Sequence, residues 1–150
     1  MKTRRLRRIR VLVPLVIVAA ALATTSTAWA CTTFGGQTYI NGQTNPPTVA
    51  KGAQVPNITG DDVPSTTGWP ADNTAWHVSA VLGSGCCYGG TTIATGATLV
   101  RNPTAGVPDL GPLTGTAPTY TGRGPQTYQV CYLPNSGALY ATSVAYLTVS

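Results

Sequence analysis

Glutamate is absent from this sequence, and histidine, phenylalanine and methionine each occur once. General acid–base catalysis would have to rest on His77 and four aspartates, Asp61, Asp62, Asp72 and Asp109, a thin supply of titrating groups for an enzyme. Long hydrophobic runs are missing too. The longest, Val11–Ala23, has 13 residues, where a spanning helix needs about 20, so no permanent transmembrane anchor is expected. Beyond Ala30 no stretch has the periodicity of an amphipathic helix. All 17 glycines and 11 of the 12 prolines lie there, spaced so that few helix-length windows escape a breaker.

Positive charge is present but very unevenly placed. Six of the nine cations fall in the first ten residues: Lys2, Arg4, Arg5, Arg7, Arg8 and Arg10. The apolar run follows them, and then Ala28-Trp29-Ala30 sets small side chains where a signal peptidase cuts. Residues 1–30 therefore read as a secretory signal with its own helix, and residues 31–150 as one mature domain of 120 residues, enough for a single core. The mature part keeps Lys51, Arg101 and Arg123 against four aspartates, 3 − 4 = −1. Its charge gives no support to nucleic-acid binding. The expected location is extracellular, and the richness in Ala, Gly, Thr, Val and Pro suits a high-GC bacterial source. Cys31, immediately after the cleavage site, opens an alternative in which the mature chain is lipid-anchored. A lipobox prefers an aliphatic and then a small residue before the small residue at the cut, and Ala28 and Trp29 fit it poorly. A membrane partner is expected only if Cys31 is lipidated.

Thr-, Val- and Tyr-rich runs between the breakers predict an all-β sandwich, with strands near Gln37–Asn41, Ala53–Thr59, Ala75–Leu82, Thr91–Val100, Gln126–Leu133 and Leu139–Val149. In Ala75–Leu82, Trp76, Val78, Ala80 and Leu82 alternate with His77, Ser79 and Val81, so one face should line the core. The segment from Asn102 to Gly124, dense in turn residues, reads as a long surface connection. The last two runs flank Pro134-Asn135-Ser136-Gly137 and predict an antiparallel hairpin. A four-residue loop puts Tyr128, Val130 and Tyr132 on one face with Leu139, Ala141, Ala145, Leu147 and Val149. Cys131 then lies on the other, beside Tyr140, Val144 and Tyr146. In Thr127-Tyr128-Gln129-Val130-Cys131-Tyr132 and Ser143-Val144-Ala145-Tyr146-Leu147-Thr148-Val149 this hairpin resembles the closing strands of immunoglobulin-like or fibronectin-type sandwiches. The resemblance covers about a fifth of the chain and implies architecture alone, since such sandwiches carry many unrelated functions.

Four cysteines remain in the mature part, Cys31, Cys86, Cys87 and Cys131, and export permits their oxidation. Neighbouring residues of an extended chain point to opposite faces, so Cys86 and Cys87 should serve different partners, one bonding Cys131 and the other Cys31. Each bridge would stabilise the fold by about 4 kcal/mol in the chain-entropy model. A vicinal Cys86–Cys87 bond is disfavoured by ring strain. The spacing lacks the paired ligands of a zinc site.

His77 with Asp72 and a serine can be written as a triad, but Ser79, Ser84 and Ser143 lie in no nucleophile elbow. Asp61-Asp62, with Asp72 and Asn73, could offer oxygen to calcium, yet no EF-hand spacing is present. No metal and no cofactor is expected. Aromatics are the better lead: tyrosine joins apolar area to a polar tip, which suits binding surfaces. Trp69, Tyr88, Tyr140 and Tyr146 are the expected binding residues, with a cell-wall glycan or a surface protein as partner. The function expected is a non-enzymatic binding or structural role at the cell surface or outside the cell. The alternative is a secreted inhibitor of proteases or other hydrolases, acting through a rigid loop within Arg101–Gly124 with Arg101 or Arg123 as its anchor.

Overall fold

The structure, a computed structural model, describes residues 33–63, 70–83, 88–101, 104, 106–136 and 140–150. The expected signal segment, Trp69, Ser84, Leu139 and the cysteines Cys31, Cys86 and Cys87 lie outside the described residues. Among the described residues there is no helix, and eight strands follow one another: β1 (Thr33–Ile40), β2 (Gln54–Asp61), β3 (Ala75–Leu82), β4 (Thr91–Thr98), β5 (Leu110–Thr116), β6 (Gln126–Pro134), β7 (Ala141–Ser143) and β8 (Ala145–Val149). They form two four-stranded sheets, β5-β2-β1-β7 and β4-β3-β6-β8. The described part of the chain is all-β, as its breakers and alternating runs imply.

The core between the sheets is made by inward-facing positions of both. Trp76, Val78 and Ala80 of β3 meet Ile40, Val55, Ile58 and Leu110 of the opposite sheet. Each large aliphatic or aromatic side chain taken out of water here contributes roughly 1.5–3 kcal/mol. Tyr132 is fully buried among them, and its hydroxyl crosses between the sheets to donate to the carbonyl of Ile58 at 2.6 Å. Burial, with the carboxylate of Asp61 nearby, pushes this phenol far above its ordinary pKa, so it stays a neutral donor. Glycine is required where the ring passes: a Cβ on Gly111, whose φ is +83°, would lie 2.7 Å from the Tyr132 hydroxyl and 2.5 Å from the Ile58 oxygen.

The C-terminal strands face the way expected in their main part, but their register differs from the one a four-residue loop sets, which would put Tyr128 opposite Ser143. Tyr128 pairs with Leu147 and Val130 with Ala145, antiparallel, and all four face the core. The expected single strand Leu139–Val149 is nevertheless broken at Val144. Before the break, β7 runs parallel to β1 in the other sheet, Thr33 opposite Ala141. Ala141 consequently packs with Cys131 and Leu133, away from the main core, which corrects its expected place beside Tyr128. A buried hydroxyl holds the crossing point. Thr142 Oγ1 accepts from the backbone N–H of Tyr132 at 3.0 Å and lies 2.5 Å from Thr38 Oγ1. One side chain thus ties β6 to β7, which share no ladder, and adds a contact to the β7–β1 pairing.

The expected surface connection from Asn102 to Gly124 is corrected as well, because Leu110–Thr116 is strand β5, antiparallel to β2. Pro112 and the glycines around it argue against a central strand, but β5 bonds only β2 and ends its sheet. An edge strand tolerates a missing N–H. After β5, Lys51 Nζ sits 3.7 Å above the Tyr120 ring and donates to Gly122 O at 3.1 Å, while Tyr120 donates to Val149 O at 3.0 Å. These contacts pin the loop carrying Arg123.

Candidate functional site

The outward face of the β4-β3-β6-β8 sheet carries Tyr146 and, packed against it, Tyr88. Regular pairing of β3 with β6 sets Ser79 opposite Cys131, His77 opposite Leu133 and Val81 opposite Gln129. Since Tyr128, Val130 and Tyr132 face the core, Gln129, Cys131 and Leu133 face outward. Part of this outer face is buried all the same. Cys131, Leu133 and Ala141 form a second apolar cluster, against which Tyr88 and Val144 pack. The loop after β3 also returns close to the sheet at Gly90, where a Cβ would meet Val81 at 2.4 Å, the Ala80 carbonyl at 2.6 Å and Ser79 Oγ at 2.6 Å.

Tyr88 and Tyr140 are both half-buried and near enough to affect one another: burial first, and then Tyr140, push the Tyr88 phenol up to about 12. It therefore stays protonated as a hydrogen-bond donor throughout the physiological range. Tyr146 stands apart, 43 % exposed, with Gln129 as its cross-strand partner. Of the four expected binding residues, two come together, one lies on the same sheet, and Trp69 is outside the described residues. Cys131 has no free thiol: it is disulfide-bonded, with a partner outside the described residues.

The catalytic constellation written from sequence is not assembled. Asp72 is ion-paired with Arg101, whose second terminal nitrogen donates to Pro70 O at 2.8 Å. His77 instead has its Nδ1 2.7 Å from Asn135 Oδ1, a geometry in which the imidazole donates to the amide oxygen. Ser79 is buried beneath the Gly90 turn, and a hydroxyl shielded there is out of reach of a substrate. Asp61, Asp62 and Asp109 do gather at the C-terminal end of β2. Asp109 is buried and accepts from the Val63 N–H at 2.8 Å. Asp61 has its carboxyl pushed up by burial and then by Asp62 and Asp109. Asp72 does not join them, and among the described residues no group of three or more His, Cys, Asp or Glu is arranged to hold a metal ion.

Gln129, Thr127 and Thr148 were not among the binding residues expected from sequence, although β6 and β8 display them next to Tyr146. Their signal was the alternation itself: once Tyr128 and Val130 point inward, Thr127 and Gln129 must point out. A scan against protein-family models finds no match, and searches of curated proteins and of solved structures return no similar chain.

Proposed function

We propose that the chain is an exported, non-enzymatic binding domain whose outer sheet face carries an aromatic platform for a cell-wall glycan. The observation that carries this is the seating of Tyr88 on the Cys131–Leu133–Ala141 cluster with Tyr140 close to it, and Tyr146 exposed on the same sheet as Cys131. Aromatic side chains fixed on a sheet lose little conformational freedom on binding, and their faces suit the apolar side of a sugar ring. Export is supported by the basic, apolar and small-residue order of positions 1–30. With simple secretion the domain is free outside the cell, and with lipidation of Cys31 it is held at the membrane.

The architecture that fits best is an immunoglobulin-type sandwich stapled by two disulfides. The order β4-β3-β6-β8 against β5-β2-β1-β7 and the buried Trp76 on β3 support this reading, while the parallel β7 and Cys131, which faces away from the core, depart from it. For the disulfides, the return of Gly90 onto Ser79, directly opposite Cys131, favours a bond from Cys131 to Cys86 or Cys87. The pairing of Thr33 with Ala141 of the Cys131 cluster supports Cys31 as the partner of the other.

The test is retention of the purified mature domain on isolated cell walls, comparing the parent with Tyr140→Ala and Tyr146→Ala. Retention that falls in both variants is the expected result, and parent protein that stays in solution overturns the proposal. For the inhibitor alternative only Arg123 remains an exposed anchor, because Arg101 is bound to Asp72 and Pro70.

A further inference from the structure

Resting on the platform just proposed, the geometry points to a specific sugar-sized subsite at Tyr146, Gln129, Thr127 and Thr148, selective for an uncharged polysaccharide. Gln129 lies opposite Tyr146 and Thr127 opposite Thr148. Positions two apart on a strand are about 7 Å apart and neighbouring strands about 5 Å, so these four side chains mark a rectangle that one sugar ring covers. One corner is aromatic and exposed. The other three carry an amide and two hydroxyls, and the hydroxyls of Thr127 and Thr148 lie 3.3 Å from each other.

Rigidity is built in beneath this rectangle. Strand β8 bonds β6 along one edge, and along the other Tyr146 N–H donates to Thr44 O at 2.7 Å while Val49 N–H donates to Thr148 O at 3.0 Å. A strand held on both edges presents Tyr146 in one place, which lowers the entropy lost on binding.

Charge decides the ligand class. Strands β3, β4, β6 and β8 contain no Asp, Glu, Lys or Arg at all. An ionised ligand laid on this surface would give up hydration with no counter-charge in return. A neutral sugar exchanges its hydroxyl–water hydrogen bonds for ones to Gln129 and the threonines, which both donate and accept, and sets its C–H face on the Tyr146 ring.

Affinity electrophoresis of the mature domain in gels holding soluble neutral glucans (dextran, laminarin, hydroxyethylcellulose) or anionic polymers (polygalacturonate, heparin) tests the subsite. The expected result is retardation by at least one neutral polymer that survives 0.5 M salt. Tyr146→Phe should keep it, and Gln129→Ala and Tyr146→Ala should each weaken it about tenfold with unchanged thermal midpoints. Retardation by anionic polymers alone, abolished by salt, overturns the neutral class while leaving binding to cell walls intact. Neutral retardation that survives both alanine substitutions overturns the subsite. Absence of retardation together with absence of cell-wall retention overturns the platform and the subsite together.

Discussion

Tyr132 and Tyr128 lie four residues apart on one strand, yet their hydroxyls have unequal work. The Tyr132 hydroxyl is the bond between the sheets, and removing it leaves the Ile58 carbonyl facing an apolar gap. Tyr132→Phe should cost about 1–3 kcal/mol in urea unfolding. Tyr128 donates only to its near neighbour Gln126 at 3.2 Å in a partly buried site, so Tyr128→Phe should cost less than about 1 kcal/mol. Equal losses in the two variants would contradict the inter-sheet role. Asp61 acts in the opposite sense. Its folded-state pKa is raised by burial, Asp62 and Asp109, so the native state binds this proton more tightly than the unfolded chain does. The stabilisation is fully present below the unfolded value near 3.8 and is lost as pH rises through the folded value. At neutral pH the carboxylate is a liability, and Asp61→Asn should raise stability at pH 7 by less than about 1 kcal/mol. The gain should vanish near pH 3, as urea midpoints at the two pH values would show.

At the scale of elements, the legible strands were those with strict alternation. Ala75–Leu82 has the observed bounds of β3 because its indole, valine and alanine repeat every second residue between clear breakers. The inward facing of Tyr128, Val130, Ala145 and Leu147 was legible for the same reason, since a slip of one residue would turn Tyr128 and Leu147 out of the core, but their pairing was not, because β7 leaves for the other sheet. Strand β5 was not, because Gly111, Pro112 and Gly115 look like turn residues and their tolerance at an edge is a property of the assembled sheet. Nor was the crossing at Val144, whose signal is a threonine hydroxyl that gains meaning only once Tyr132 and Thr38 are beside it. Asp72 was near His77 in sequence, but Arg101 claims it in space. Thr142→Val preserves shape and leaves the Tyr132 N–H and the Thr38 hydroxyl unmet, so it should cost about 2–3 kcal/mol, with Thr142→Ser restoring most of it; parity of the valine variant with the parent in thermal unfolding would refute the crossing-point role. Gly90→Ala forces a Cβ into Val81 and the Ala80 carbonyl, so the turn must lift from the sheet and the domain should lose about 1–3 kcal/mol by the same measurement.

Across the whole molecule, strand directions collect Asp61, Asp62, Asp72, Asp109 and Arg101 at one end of the sandwich and Lys51 and Arg123 at the other. The same few cations make the cysteine framework directly readable, because trypsin cuts after Lys51, Arg101 and Arg123 and so separates Cys31, the Cys86–Cys87 pair and Cys131 into three different peptides. If Cys131 bonds one member of the adjacent pair and Cys31 the other, an unreduced digest of the mature domain should contain peptides 31–51, 52–101 and 124–150 as one linked species that falls into three on reduction. A vicinal Cys86–Cys87 bond would instead free peptide 52–101 and leave the other two joined. The outcome also fixes the energetics. Two long-range bridges, each closing a loop of about 44 to 56 residues, are worth about 4 kcal/mol apiece in the chain-entropy model, comparable with the entire stability of many domains. Reduction at neutral pH should then unfold the domain at 37 °C, and a reduced protein that keeps its thermal midpoint would rule out the long-range pairing independently of the peptide masses.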